Sequence, residues 1–278
     1  MRLTTGILTL GFTNVIPIIV LVYLGIISPD GTVPSPLAHS IVEALVAAMG
    51  ILFAIYAFRS FRATGSLRLL IIALGLLIAG LLAVGHGVFQ YTAVEWQRAF
   101  WYGRLAQLFI AVTLFLAGGI DERLVEKGNR ASVLVVTVLL SLFLFVAFVF
   151  GAEMGLKYNL VTSVMQTDPA ARFLQLASVI LLATTFVRFL YGAFVIRSEI
   201  ALLFSVGIFL LVMHDLTFAS IMKLYDTHFW IAHVWKMLAY FAFLSGILVA
   251  RHVSREESAR TSVPPPTMQS PAGRARRG

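Results

Sequence analysis

The chain has 278 residues, of which 59% are hydrophobic and only 12% are charged. Ordinary soluble domains run at about 45–50% apolar and about 25% charged, so this balance excludes a soluble globular protein. The absence of cysteine excludes disulfides, a thiol nucleophile and thiolate metal sites, and the net charge of +8 lies mainly in short loops and the tail, where membrane proteins keep orienting charge rather than a nucleic-acid face.

Eight apolar segments follow one another: 6–28, 37–58, 67–89, 99–120, 132–151, 170–195, 200–222 and 229–250. About 20 apolar residues cross a hydrocarbon core of about 30 Å as one α-helix. The expected fold is therefore all-α, a polytopic transmembrane helix bundle of eight spans, with seven as the count if one segment fails to cross. The first segment follows a single Arg2 and contains Pro17. It is longer than the apolar core of a signal peptide, about 7–15 residues, and no A-x-A-like site follows, so it reads as an uncleaved helix kinked at Pro17.

Ser28-Pro29-Asp30-Gly31 marks a turn, and Pro34-Ser35-Pro36 delivers the chain to the second segment. That segment carries His39 and Glu43 near its start. Four residues apart, they share one helix face, and a carboxylate there must face protein, water or a ligand rather than lipid. The third segment ends near His86, and its Ala79, Ala83 and Gly87 form a small-xxx-small row suited to close helix packing. Arg104 lies within two turns of the start of the fourth. Asp121-Glu122-Arg123 and Lys127-Gly128-Asn129-Arg130 separate the fourth from the fifth. Arg188 lies inside the sixth, and Arg197-Ser198-Glu199 is a very short link to the seventh, which carries His214-Asp215. The eighth opens with His228 and aligns His233, Lys236 and Tyr240 on one stripe. Trp96, Trp101, Trp230 and Trp235, with Tyr91 and Tyr102, read as an aromatic belt at the outer interface.

Counted by loop, 14 Lys and Arg fall on one side and 5 on the other, with Arg188 and Lys236 set aside. The positive-inside rule then places both termini in the cytoplasm of a multi-pass protein of the cell inner (cytoplasmic) membrane, which requires an even number of spans. In that orientation His39, Glu43, His86, Arg104, His214, Asp215, His233 and Lys236 all fall in the outer half of the membrane. An ammonium at that depth needs a carboxylate, so Lys236 is expected to pair with Glu43 or Asp215. Residues 1–250 thus form the transmembrane unit. Residues 251–278 read as a short basic tail without fixed structure, passing from RHVSREESAR into Pro264-Pro265-Pro266 and a Ser/Gly/Arg-rich end.

H-x-x-V-E opening the second segment, G-L-L-x-x-x-H at Gly80–His86 and A-H-V-W-K-M-L-A-Y at Ala232–Tyr240 carry a resemblance. They resemble the third class of MASE domains, membrane-associated sensor modules found ahead of histidine kinases and diguanylate cyclases. The resemblance spans roughly 37–250 and implies a sensor or ligand-binding bundle, with His39, Glu43, His86, His233 and Lys236 at matching positions. In that family the last helix leads into an output domain, whereas residues 251–278 are too few to form one.

The leading expectation is a non-enzymatic membrane sensor, with His39, Glu43, His86, His214, Asp215, His233 and Lys236 as its cofactor- or ligand-binding residues. Its expected partners are membrane lipid and a separate membrane or cytoplasmic signalling protein, with a second copy of the chain as a further candidate. The alternative is a redox subunit holding haem b or a metal ion between its histidines. A transporter lacks support from inverted repeats, and a retinal protein would rest on Lys236 alone.

Overall fold

A computed structural model describes residues 35–91, 96–120, 124–157, 169–195, 198–219 and 225–261. Apart from short connections, all of these are helical. We number the helices α1 (Pro36–Thr64), α2 (Leu67–Tyr91), α3 (Trp96–Gly119), α4 (Arg130–Lys157), α5 (Pro169–Val195), α6 (Glu199–Ala219) and α7 (Thr227–Thr261). A single 3₁₀ turn, Lys127–Asn129, precedes α4. Seven helices among the described residues are long and apolar enough to cross a membrane, so the chain is a multi-pass membrane protein. They correspond to the second to eighth apolar segments, while the first, 6–28, lies outside the described residues, as does 262–278.

Six of the helices close a ring. Around it the order is α1, α2, α3, α5, α6, α7 and back to α1, each packed on the next. The reason is visible along α1. Its buried residues His39, Glu43, Val46, Ala47, Gly50, Phe53, Ala54, Ala57 and Phe61 recur at three- and four-residue steps, one continuous stripe. Small residues on that stripe bring backbones together. A Cβ on Gly50 would stand 2.7 Å from the Leu76 carbonyl oxygen of α2, and one on Gly75 would meet Thr113 of α3. Phe53, Phe204, Phe243, Leu76, Leu114 and Ile208 fill the centre.

Helix α4 stands outside the ring and touches mainly α3, with little contact to α1 and α2. Val136, Leu139 and Phe143 are each at least 60% exposed. In water such a surface would aggregate; in a bilayer it faces acyl chains at no cost.

Helix α7 runs for 35 residues, or roughly 52 Å at about 1.5 Å per residue, although its apolar window closes at Val249. The boundary at residue 250 thus ends the apolar stretch and not the helix. About three further turns, carrying the first charged residues of the tail, continue the same rod.

At the end of the bundle away from the histidines, α1 stops at Gly65, whose φ of +82° is left-handed and whose N–H donates to the Phe61 carbonyl at 2.7 Å. Arg130 covers the carbonyls that α1 leaves open. Its guanidinium donates to the oxygens of Arg62, Ala63 and Thr64, while its Nε donates to Val125. Arg68 donates likewise to the Ile120 oxygen at 2.6 Å. A Cβ on Gly65 would meet the Val125 oxygen at 2.5 Å and Arg130 Nε at 2.9 Å. Gly65→Ala is therefore expected to cost about 1–2 kcal/mol or more, since it adds that clash to the left-handed penalty. A denaturation series in micelles reads this directly, and an unchanged midpoint would show that the turn relaxes freely.

Candidate functional site

The polar residues gather at the opposite end of the ring. Ser35 caps α1 by accepting from the Ala38 N–H at 3.3 Å, with Pro36 in the first turn, so His39 and Glu43 occupy its first two turns. Helix α2 arrives antiparallel and brings His86 to the same level. The Ser40 hydroxyl lies 2.8 Å from the Gly87 carbonyl, and a Cβ on Gly87 would lie 3.0 Å from that of Glu43. The hydrogen side chain of Gly87 is what lets α2 close on the carboxylate. Asp226 starts α7 by accepting from the Phe229 N–H at 2.7 Å, which sets His233 and Lys236 in its second and third turns.

The centre is the Lys236 ammonium donating to both oxygens of Glu43, at 2.8 and 2.7 Å. Both side chains are buried, Glu43 completely. Against the carboxylate lie two imidazoles. His233 Nε2 is 3.3 Å and His39 Nε2 is 3.7 Å from Glu43 Oε1, and the two ring nitrogens are 2.9 Å apart. The third imidazole, His86, packs edge-on to His39 with ring centroids at 4.9 Å. One donor atom from each of His39, Glu43, His86 and His233 fits within 4.8 Å of every other. Phe229 closes the cluster, its ring centroid 4.2 Å from that of His233.

The tautomer of His233 follows from its other nitrogen. Nδ1 sits 2.7 Å from the Phe229 carbonyl oxygen, which can only accept, so Nδ1 carries the hydrogen. In the neutral ring the Nε2 lone pair then points at Glu43 and His39. His39 Nδ1 is buried with no hydrogen-bond partner.

His214 and Asp215 form a second group beside the first. His214 Nδ1 is 3.1 Å from Asp215 Oδ1, and its ring centroid is 6.4 Å from that of His233. Three residues that the sequence reading did not assign to a site hold this group. Gln107 Nε2 reaches the His214 ring at 3.2 Å, and Gln175 Nε2 donates to the Asp215 carbonyl at 2.6 Å. Phe218 lies 4.4 Å beneath the Arg104 guanidinium, which also donates to Gln175 Oε1 at 3.1 Å. Gln107 follows Arg104 by three residues on one helix face, the one signal in the sequence that pointed here. A small cleft lies between the two groups, lined by His86, Arg104, Gln107, His214, His233 and Lys236.

Of the seven expected residues, five (His39, Glu43, His86, His233 and Lys236) meet in one cluster, while His214 and Asp215 stand one ring away from it. The expected aromatic belt does not form as read. Trp101 and Trp235 are 5% and 1% exposed and Tyr102 is buried, its hydroxyl donating to Glu153 at 3.2 Å. Trp235 lies beside Lys236 on the inward face of α7, where packing outweighs the interfacial preference of the ring. Trp230 remains partly exposed and stacks on Tyr225, whereas the side chains of Tyr91 and Trp96 lie outside the described residues.

Chemically the cluster can neutralise a buried charge, share a proton between ring nitrogens, or hold one ion. The His39–His233 pair leaves no room for a haem between its two rings. Two axial nitrogens must stand roughly 4 Å apart, twice a metal–imidazole bond of about 2 Å, with a flat macrocycle between them. His39 and His233 touch directly, with ring centroids 4.6 Å apart. No family model matches the chain, and no curated protein or solved structure matches it either.

Proposed function

We propose that the chain is a non-enzymatic sensor module, with the His39/Glu43/His86/His233/Lys236 cluster as its ligand-binding input and α7 as its output. One observation carries this reading. The Glu43–Lys236 pair joins α1 to the one described helix that continues about three turns past its apolar window. A ligand that perturbs the pair acts at one end of a rod whose other end is polar and available to a separate signalling protein. The positive-inside count puts that end, and both termini, in the cytoplasm, with 6–28 as an eighth span in the inner membrane. The likeness to the third class of MASE domains belongs to the same reading, as does the tail as a lipid-touching segment.

The chain has no cysteine, so two introduced thiols label uniquely. Spin labels at Ala63→Cys on α1 and Ser254→Cys on α7 report the distance between the two helix ends. Removing the charge link with Glu43→Gln/Lys236→Met is expected to shift or broaden that distance distribution in lipid nanodiscs. Identical distributions with and without the pair would overturn the transmission reading.

A further inference from the structure

Resting on the sensor reading, we infer that the input ligand is one divalent transition-metal ion. It is held by His39, His86, His233 and a carboxylate oxygen of Glu43, and the Lys236 ammonium competes with it for that carboxylate. The donor set and spacing fit. Nε2 of His39, Nε2 of His233 and Oε1 of Glu43 form a triangle with edges of 2.9, 3.3 and 3.7 Å. A tetrahedral ion with bonds of about 2.0–2.1 Å needs edges of about 3.3 Å. Three imidazoles and a carboxylate suit borderline ions of the zinc, cobalt and nickel kind, not magnesium or calcium.

Two details of the arrangement suit a cation. The Phe229 carbonyl fixes the hydrogen of His233 on Nδ1 and turns the Nε2 lone pair inward, which is how metal-ligating histidines are usually held. That nitrogen lies 2.9 Å from His39 Nε2 and 3.3 Å from Glu43 Oε1, so three potential ligand atoms converge on one point.

Lys236 supplies positive charge only from one side, and it cannot coexist comfortably with a dication on the same carboxylate. Binding is therefore an exchange: the ion arrives and the ammonium leaves Glu43. A place to go lies alongside. Lys236 lines the cleft together with Gln107, whose Oε1 is buried without a partner. The exchange replaces the ammonium–carboxylate link between α1 and α7 with coordination through His39, Glu43 and His233, so occupancy changes how the output helix is held.

The test uses the full chain in nanodiscs, stripped with chelator and titrated with Zn²⁺ or Co²⁺ alone. We expect one ion per chain and, for cobalt, the intense visible absorption of a four-coordinate site. His39→Gln and His233→Gln should each weaken binding by at least about 10–100-fold, the loss seen for outer partners alone. Lys236→Met should tighten it at least about tenfold, because a like charge is gone. A structural role for Lys236 predicts no such tightening. Failure of the wild-type chain to take up either ion, binding that both histidine variants leave intact, or a Lys236→Met chain that binds no tighter would each overturn the inference. If a histidine variant does not fold, wild-type stoichiometry and the cobalt spectrum decide. Absent uptake with a pair-dependent label distance defeats only the metal, whereas uptake without any distance change, on loading or on removing the pair, defeats only the sensor.

Discussion

Glu43→Gln, measured on chelator-treated protein, is expected to lower stability by about 3–5 kcal/mol, and Lys236→Met to do the same. Each leaves one charge buried without its partner, in a bundle where Glu43 is wholly enclosed. The double variant Glu43→Gln/Lys236→Met should recover most of the loss, because a neutral pair of similar volume carries no desolvation debt. Thermal or denaturant unfolding in mixed micelles provides all four corners of the cycle. Single losses below about 1 kcal/mol, or additive losses in the double variant, would show that water or lipid headgroups screen the pair.

A comparable effect is expected from Gly50, where chemistry plays no part. Its missing side chain lets α1 approach the Leu76 carbonyl of α2, and the Tyr240 ring of α7 lies 3.3 Å from the Cβ position. Three helices meet there, and one obstacle is backbone, which cannot rotate aside. Gly50→Ala should cost about 1–3 kcal/mol, and Gly50→Leu should prevent the ring from closing. Gly151 on α4 is the control, since nothing lies within 4 Å of a Cβ there. A monodisperse, fully helical Gly50→Leu protein with an unshifted melting temperature would refute the close-packing account.

These two sites show what the chain reveals as a string of letters. Helices were legible because a bilayer demands long apolar runs, and depth was legible because it follows from the position of a residue along its run. The shared level of Glu43, Asp215 and Lys236 therefore limits the partner of the ammonium to one of two carboxylates in the sequence alone. Lateral order was not legible, since a ring of six helices with α4 left outside is set by which stripes interlock. For the same reason Trp101 and Trp235 read as interfacial when their stripes face inward. Arg130 counted as an orienting charge, yet it also caps α1 from a position 65 residues beyond Gly65. Gln107 offers only its three-residue step from Arg104 and Gln175 no pattern at all, because a single amide in an apolar run looks the same whether it bonds a neighbour or lines a cavity.

The two members of the central ion pair are separated by 193 residues of chain. At translation rates of about 5–20 residues per second, Glu43 enters the membrane roughly 10–40 s before Lys236 exists. Throughout that interval α1 carries an acid with no counter-charge, beside at most the histidines of its own and the next helix. The central ion pair is consequently completed only when α7, the last of the described helices, is made. A chain stalled before α7 presents a carboxyl group without the ammonium that covers it in the finished chain.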